Sequence, residues 1–363
     1  MEPRVYIVGG YVRDKLLREE GFDVAPKDRD FVVVGATPEL MAAKGFMPVG
    51  ADFPVFLHPK THEEYALART ERKTAPGYRG FAFHASPDVT LEDDLRRRDL
   101  TVNAIAMTED GAVVDPRGGL ADIRARVFRH VSEAFCEDPV RILRLARFSA
   151  RLPEFTIAPE TRALVETMVK NGEVDALVPE RVNKEITRGL MEKKPSAMLR
   201  VLKGCGAWER VAPDIPCGEE TLAALDRAAE AGESLAVRFA ILLAPAGEKA
   251  ADAAKRFRAS TELAGIAVLA ARFFPSLASS APSPEEALPI LEKADAFRRP
   301  ERFEALLRAH EIASGADDSA WRRAARAASG INPREAIAGL SDPRGIPAAI
   351  RAARLRAIAE QKE

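Results

Sequence analysis

Short apolar runs alternate with helix-like spacing in the first third of the chain. Residues 5–8 and 31–34 are apolar runs that end at glycines. Thr37 followed by Pro38 is typical of a helix start, with the threonine as N-cap. Further strand-like runs occupy residues 53–57, 64–69 and 112–114. The pattern predicts a mixed region of strands and helices.

The strand pattern fades after about Gly119, and leucine, alanine, arginine and glutamate then recur at helical spacing. A stretch rich in proline and serine, residues 274–284, predicts a loop. The predicted fold class is therefore α+β, in which a strand-rich front precedes a helical rear. The predicted domains are a small mixed head of β-sheet and helices, a helical neck, and a helical body and tail, over residues 1–118, 119–211 and 212–363.

Composition describes an ordinary globular chain of 363 residues, 47% hydrophobic and 30% charged. No apolar run is long enough to span a bilayer, and a strand-like segment follows the first residues where a signal peptide would lie. Cys136, Cys205 and Cys217 show neither metal-ligand spacing nor an even disulfide set. We therefore predict a cytoplasmic protein with reduced thiols and no membrane partner.

Charge gives little guidance about partners. The whole chain has a formal net charge of −1, but residues 119–210 carry 17 lysines and arginines against 13 acidic residues. This local excess weakly indicates a phosphate-rich ligand. On the count alone, a solvated helical surface remains the better explanation.

Gly9 and Gly10 follow the first predicted strand and open a predicted helix. Glycines let a backbone approach a phosphate closely, and a helix N-terminus supplies N–H donors. Arg13 can add a charge-assisted contact. A glycine pair by itself is more typical of a plain turn.

Asp28 and Asp30 lead into the apolar run at residues 31–34. Residues two apart on a strand point to the same side, so we expect the two carboxylates to converge. Neighbouring carboxylates repel unless a cation lies between them, and Mg²⁺ prefers carboxylate oxygens while sharing substrate phosphates. The pair predicts a Mg²⁺ site, with a solvated turn as the alternative.

An acidic cluster at residues 92–94 adjoins arginines at positions 96–98. A salt-bridged helical turn is the ordinary interpretation, and triphosphate binding by Arg98 is the functional one. The cluster alone favours the ordinary interpretation.

Asp138 and Pro139 predict a helix start, with the aspartate as N-cap and the proline in the first turn. The arginines that follow fall within an arc of about 120°. Such a stripe, unpaired within its helix, is destabilising unless anions or carboxylates face it. Asp138 accepts and Arg141 donates, so this pair can read the edge of a base. An exposed helix with ordinary arginines is the alternative. The stripe is Arg141, Arg144, Arg147 and Arg151.

In their order and approximate spacing, these segments resemble the bacterial class II tRNA nucleotidyltransferases, the CCA-adding enzymes of the polymerase-β-like superfamily. Residues 53–59 and 62–73 look like the long proteobacterial branch, and the resemblance is dense from residue 4 to about 212. The matching motifs are Gly9-Gly10-x-Val12-Arg13-Asp14, Asp28-x-Asp30, Arg97-Arg98-Asp99 with Asn103, and Glu137-Asp138-x-x-Arg141.

The resemblance implies template-independent addition of C, C and A to the 3′ end of tRNA, with ATP and CTP as substrates and pyrophosphate as product. It implies Mg²⁺ as the cofactor and tRNA as the partner. It assigns phosphate contacts to Gly10 and Arg13, metal ligation to Asp28 and Asp30, nucleotide contact to Arg98, base pairing to Asp138 and Arg141, and the rest of the pocket to Arg144 and Arg147. Glu64 is a candidate third carboxylate.

Two features depart from the family pattern. The segment from Gly10 to Asp28 exceeds the family's usual length by several residues, which predicts an enlarged surface loop over residues 18–26. A His-Asp pair of the HD phosphohydrolase type is missing near Leu243 and Ala244, so we expect no such metal site in the rear.

Other functions stay open at this point. A bacterial poly(A) polymerase shares all four motifs, although this chain lacks a strongly basic tail. A non-catalytic RNA-binding protein with a vestigial head belongs to another class, and the intact aspartates count against it. A helical scaffold without a ligand does not explain the arginine stripe.

Overall fold

The computed structural model describes residues 2–49, 55–73, 81–279, 281–340 and 342–361. Residues 53 and 54, within one of the predicted strands, lie outside this set. Contacts divide the chain into two compact units, which are considered separately: Met1–Arg181 with Val201–Val211, and Val182–Arg200 with Ala212–Glu363. No helix in the described ranges has the length and apolar character needed to cross a bilayer.

The strands concentrate in the front of the chain, where β-branched and aromatic residues predict them. The described strands are β1 (Arg4–Val8), β2 (Asp30–Val34), β3 (Met47–Val49), β4 (Val55–Leu57), β5 (Glu64–Leu67), β6 (Thr70–Lys73), β7 (Phe81–His84), β8 (Ala106–Met107), β9 (Val113–Val114), β10 (Val127–Phe128) and β11 (Thr156–Ile157).

Among the described residues, seven strands form one mixed sheet in the order β3-β4-β5-β2-β1-β8-β9. β1 runs antiparallel to β2, with Val8 opposite Asp30. β2 runs parallel to β5, with Asp30 opposite Glu64. The end of β1 and the starts of β2 and β5 therefore meet at one edge of the sheet.

The two faces of the sheet are packed differently because side chains alternate along a strand. Val32 packs with Val8 and Leu95 in one buried cluster. Val33 packs with Phe56 in another. The predicted strand at residues 31–34 is thus covered on both faces, which explains its continuous apolar run.

Helices follow and surround the sheet, and they make up most of the rear. They are α1 (Gly10–Glu19), α2 (Pro38–Ala43), α3 (Leu91–Arg96), α4 (Gly119–Ala125), α5 (Val140–Arg151), α6 (Pro159–Lys170), α7 (Pro179–Leu190), α8 (Pro195–Gly204), α9 (Trp208–Val211), α10 (Glu219–Glu230), α11 (Leu235–Leu243), α12 (Ala250–Arg256), α13 (Thr261–Leu277), α14 (Pro284–Lys293), α15 (Pro300–Ser314), α16 (Ser319–Ser329), α17 (Pro333–Ala336) and α18 (Ile346–Glu360).

The α+β class predicted from the sequence is confirmed: a mixed sheet with helices in front and a mainly helical rear. Thr37 caps α2 by accepting a hydrogen bond from the Leu40 backbone N–H, as expected. Residues 119–211, predicted as a helical neck, also contain β10 and β11, which pair in parallel over two residues each. Pairs this short leave almost no periodic signal in a sequence.

The predicted loop at residues 274–284 is wrong in its first part, because α13 continues to Leu277 with Pro275 inside it. The proline removes one helical hydrogen bond, but Phe273 and Leu277 are buried, and their packing outweighs that loss. Composition alone could not reveal that burial.

The enlarged loop after α1 is anchored by an aromatic contact. The Phe22 ring lies 5.7 Å from that of Phe155. The Phe22 ring makes a second contact with the Arg126 guanidinium, which lies 5.3 Å from the ring centroid. The segment that leads to Asp28 is therefore fixed at its beginning.

Candidate active site

A cleft of about 560 Å³ opens in the first unit, where the sheet edge faces α5. Its lining is strongly cationic: Asp30, Asp99 and Asp138 are outnumbered by arginines. A positive cleft of this size suits a polyphosphate. The lining arginines are Arg13, Arg69, Arg97, Arg98, Arg141, Arg144, Arg147, Arg151 and Arg181.

Acidic groups gather at the sheet edge. Asp30 is the first residue of β2, and its Cα pairs with that of Glu64, the first residue of β5. Burial raises the pKa of the Asp30 carboxyl above its usual range, and the negative charges of Glu64 and Asp28 raise it further. Both neighbouring carboxylates therefore repel Asp30, and the positive charge of Arg98 offsets part of that repulsion.

The strand argument for Asp28 is incorrect in detail. Asp28 precedes β2, in a segment without regular structure, and is exposed. Its nearness to Asp30 comes from the path of that segment and not from strand alternation. Asp28 nevertheless acts electrostatically on Asp30, as the predicted pair requires.

Beside this acidic edge lies the turn at Gly9 and Gly10, whose backbone carries no side chains. Gly9 has φ +74°, in the left-handed region that favours glycine. A Cβ there would lie 3.4 Å from Arg98 Nη1 and 3.7 Å from Asp30 Oδ2. A side chain at position 9 would therefore occupy space between the sheet edge and Arg98.

Arg98 is held by Asp94, which is fully buried. Arg98 Nη2 donates to Asp94 Oδ2 at 3.1 Å. Burial would raise the pKa of Asp94, but the guanidinium groups of Arg98 and Arg97 outweigh it and lower the pKa. The Nε of Arg98 is buried and has no hydrogen-bond acceptor among the described residues. Such a donor suits a phosphate oxygen.

Arg13 lines the cleft but is almost entirely buried, and neighbouring side chains hold its guanidinium. Its Nε and Nη2 donate to Asp14 Oδ1 at 2.9 and 2.8 Å, and Nη1 donates to Asn103 Oδ1 at 2.6 Å. Burial lowers the pKa of Arg13, and the charge of Asp14 opposes that effect. These bonds use three of its five N–H groups.

The same network reaches α5 at two points. Arg151 Nη2 donates to Asp14 Oδ2 at 2.7 Å. Asn103 Nδ2 donates to Asp99 Oδ1 at 3.0 Å, and Arg144 Nε donates to Asp99 Oδ2 at 2.8 Å. Burial would raise the pKa of Asp99, but Arg144 and Asn103 lower it well below its usual range. A continuous polar chain thus joins α1 to α5.

Two arginines of the α5 stripe pair with carboxylates. We expected such partners because a stripe of like charges destabilises a helix without them. Arg144 and Arg151 pair with Asp99 and Asp14. Arg147 is buried, with its guanidinium 4.7 Å from the Phe148 ring centroid. The stripe is a set of buried or half-buried contacts, so the alternative of an exposed helix is wrong.

The start of α5 differs slightly from the prediction. The helix begins at Val140, and Pro139 is its N-cap. Asp138 lies one residue earlier, where its Oδ1 accepts a hydrogen bond from the Val140 backbone N–H at 3.1 Å. The aspartate satisfies a helix-end donor as expected, but it lies one residue before the observed cap rather than at the cap itself.

The structure places Asp138 and Arg141 together at the cleft. Arg141 is buried, and its Nη1 and Nη2 donate to the carbonyls of Ala134 and Arg97 at 2.8 and 2.7 Å. Arg181, at the start of α7, donates to both oxygens of Asp138. Both side chains therefore have a fixed orientation.

Sequence reasoning gave no role to Arg181, Asp14 or Asn103, although the latter two lie in recognised motifs. Arg181 is separated from Asp138 by 43 residues. Its only local signal is the helix start at Pro179, which predicts a helix and says nothing about a partner.

Groups of three or more His, Cys, Asp or Glu side chains arranged for a metal are absent from the described parts of the chain, the sheet edge included. In α11, near the segment where a His-Asp pair was sought, the buried Arg238 donates to the carbonyls of Leu190 and Glu233 at 2.7 and 2.9 Å.

Family models match two parts of this chain. Residues 5–129 match the poly A polymerase head domain, and residues 154–217 match the probable RNA and SrmB-binding site of polymerase A. The first match contains most of the sheet and the acidic edge, whereas the cleft lining is divided between the first match and residues 138–181. The fold and the cleft are those of a nucleotidyltransferase.

Comparison with curated relatives identifies the family of nucleotidyltransferases to which the chain belongs. The CCA-adding enzyme of Bordetella pertussis strain Tohama I is 55% identical over 357 residues, covering 98% of this chain and 96% of the relative. The multifunctional CCA protein of Azoarcus sp. strain BH72 is 48% identical over 402 aligned residues, covering 98% and 96%. The chain belongs to the family of CCA-adding enzymes.

Solved structures agree in fold. The CCA-adding enzyme of Bacillus stearothermophilus in complex with CTP has a TM-score of 0.71 at 24% identity, covering 99% of this chain and 89% of the other. The Thermotoga maritima enzyme complexed with tRNA has a TM-score of 0.66 at 20% identity, covering 99% and 92%. Enzymes of this family generally use divalent metal ions.

Proposed function

We propose that this chain adds C, C and A to the 3′ end of tRNA, using CTP and ATP, without a nucleic-acid template. The tRNA 3′-hydroxyl attacks the α-phosphate, a new P–O bond forms, and the bond to the β-phosphate breaks to release pyrophosphate. The observation that carries the proposal is one cleft holding a carboxylate edge, an arginine lining and the pair Asp138 and Arg141.

The phosphates belong at the glycine turn. Gly10 opens α1, whose backbone N–H groups can receive an anion. Arg13 retains one N–H on each terminal nitrogen after its bonds to Asp14 and Asn103. The orphan Nε of Arg98 adds a third donor, and pairing it with a phosphate oxygen removes a cost of about 1–3 kcal/mol.

The base belongs between Asp138 and Arg141, with Arg144 and Arg147 completing the pocket. Cytosine and adenine each present an exocyclic amino donor beside a ring-nitrogen acceptor. A carboxylate takes the donor, and a guanidinium satisfies the acceptor. Uracil and guanine present a carbonyl beside a ring N–H, which reverses this polarity.

The metal site belongs to Asp28 and Asp30, with Glu64 as a further candidate. The repulsion that raises the pKa of Asp30 fits a site that a divalent cation would neutralise, and carboxylate oxygens are the ligands Mg²⁺ prefers. When bound, Mg²⁺ would supply a Lewis acid for the attacking hydroxyl and the leaving pyrophosphate. The residues present therefore fit this ion.

We further infer three functional segments: a catalytic head over residues 1–118, a neck over residues 119–211, and a tRNA-binding body and tail over residues 212–363. The neck contains Asp138 and Arg141, which the head alone would lack. The proposed compartment is the cytoplasm, where tRNA is matured and thiols stay reduced. We expect no HD-type phosphohydrolase activity from the body.

The decisive experiment incubates the chain with tRNA truncated at each 3′ position and with labelled CTP or ATP. We expect cytidine addition to tRNA that lacks one or both cytidines, adenosine addition to tRNA ending in CC, and termination at CCA. Addition of cytidine to tRNA ending in CC, or failure on all truncated tRNAs, would contradict the proposal.

Poly(A) polymerase activity is a second candidate, because the head matches the domain described for that enzyme. The two functions separate when extension is compared with ATP alone and with ATP plus CTP. A CCA-adding enzyme stops after one adenosine. A poly(A) polymerase extends any 3′ end with many adenosines and does not need CTP.

A further inference from the structure

The base-reading carboxylate has a partner of its own. Arg181 Nη1 donates to Asp138 Oδ1 at 3.0 Å, and Arg181 Nη2 donates to Asp138 Oδ2 at 2.6 Å. This is a bidentate fork, the geometry that fixes both the distance and the plane of a carboxylate. The ion pair is only partly exposed, with 28% of the Arg181 side chain and 19% of the Asp138 side chain accessible.

The two oxygens of Asp138 are not equally occupied. Oδ1 accepts from Arg181 and also from the Val140 backbone N–H at 3.1 Å. For Oδ2 the structure shows the single bond from Arg181. Because a carboxylate oxygen accepts about two hydrogen bonds, Oδ2 has room for one more donor, such as an exocyclic amino group.

The two members of the base-reading pair are supported differently. Arg141 is held by the carbonyls of Ala134 and Arg97, so main chain fixes its orientation. Asp138 depends on a side chain from another helix, since its terminal torsion is broad and the Val140 N–H holds one oxygen only. In a cleft lined by arginines, a carboxylate released from its fork would turn toward other cations.

On the basis of the proposed function, we propose that Arg181 is a positioning residue that determines nucleotide specificity by aiming Asp138 Oδ2 at the amino group of cytosine or adenine. Its guanidinium holds both oxygens at once, which the single ammonium of a lysine does not reproduce. Arg181 belongs to the specificity machinery although it need not touch the base.

The test measures kcat/KM for CTP, ATP, UTP and GTP on truncated tRNA with Arg181→Gln and Arg181→Lys. We expect the preference for CTP over UTP, and for ATP over GTP, to fall about tenfold or more in both variants. That factor corresponds to roughly 1.4 kcal/mol. The lysine variant keeps the charge, so a loss shared by both variants points to the fork geometry.

A matched control is Arg200→Gln. Arg200 makes the same two-pronged contact with Glu219, at 2.8 and 2.5 Å, and is not among the residues that line the cleft. Its loss should leave the nucleotide ratios unchanged. A uniform decrease for all four nucleotides in the Arg181 variants, with ratios kept, would overturn the inference.

A double-mutant cycle separates this inference from the proposed function. If Arg181 acts through Asp138, then Arg181→Gln added to Asp138→Ala causes no further loss of preference. Where turnover is too slow, dissociation constants of the four nucleotides measured without tRNA report the part of the preference that is expressed in ground-state binding. If Asp138→Ala erodes the ratios and Arg181→Gln does not, only this inference fails. If Asp138→Ala itself keeps them, the base-reading assignment fails.

Discussion

The two walls of the cleft treat charge in opposite ways. At the sheet edge, burial together with the charges of Glu64 and Asp28 raises the pKa of Asp30, although Arg98 acts in the opposite direction. At α5, Arg144 and Asn103 lower the pKa of the buried Asp99 against the effect of burial. One wall is electrostatically incomplete and suits a cation brought from outside, whereas the other is satisfied by the protein itself. In the proposed function, the incomplete wall is the one assigned to phosphate chemistry and the satisfied wall is the one assigned to base recognition.

The largest expected effect is a loss of nucleotide addition when a carboxylate is removed from the sheet edge. Asp28→Ala and Asp30→Ala should each lower nucleotide addition by at least about a thousandfold, or roughly 4 kcal/mol, because the proposed metal loses a ligand. Addition kinetics with Mg²⁺ measure the loss, and circular dichroism checks that the fold is intact. Substantial Mg²⁺-dependent activity in either variant would remove that aspartate from the metal site.

At the opposite wall, Arg141→Ala should change selectivity more than phosphate chemistry. Uracil and guanine cost roughly 2–5 kcal/mol at the intact pair, so the preference for CTP and ATP should fall by tens- to thousands-fold. The measurement is kcat/KM for all four nucleotides on truncated tRNA. A common decrease with constant ratios would make Arg141 a structural contact, consistent with its bonds to the carbonyls of Ala134 and Arg97.

The completeness of the α5 wall is tested through stability. Asp14→Asn removes the charge that faces both Arg13 and Arg151, and it should lower the free energy of unfolding by about 3 kcal/mol. Asp175→Asn is the matched control, because its ion pair with Arg210 is exposed and should contribute less than about 1 kcal/mol. Urea unfolding of the two variants measures the difference. Equal losses would show that the buried network is no tighter than a surface pair.

The smallest expected effect is a gain in thermal stability, whereas the substitutions above cause losses. Folding raises the pKa of Asp30, so ionising this group costs stability at neutral pH, and the cost vanishes below its unfolded value of about 4. With a chelator at pH 7, Asp30→Asn should raise Tm by about 1 °C, since Asp30 is partly exposed and screened. The gain should disappear at acidic pH. Mg²⁺ should stabilise the unmodified chain more than the variant.

Local geometry made much of this site predictable. Helical periodicity placed the α5 arginines on one side, and Asp138 and Arg141 do meet at the cleft. The apolar run at residues 31–34 located β2, whose first residue is Asp30. Each of these inferences needs only neighbours within a turn or a strand.

The remaining features depend on contacts that no local pattern encodes. Strand alternation could not place Asp28, because β2 begins two residues later. Arg181 contacts Asp138 across a sequence separation of 43 residues, and Asn103 contacts Arg13 across 90 residues. Such partners follow from the packing of helices on the sheet, which a periodic pattern does not specify.

The polar chain from α1 to α5 also constrains the order in which the molecule can mature on the ribosome. Arg13 is made early, but its acceptor on Asn103 is translated 90 residues later. The other oxygen of Asp14 receives Arg151 from 137 residues away. Closing such distances carries the entropic cost of long loops, and contacts of high sequence separation slow folding. In a nascent chain that stops short of α5, Asp14 can keep its contact with Arg13 but lacks its contact with Arg151, so the network beside the glycine turn is complete only after α5 has emerged.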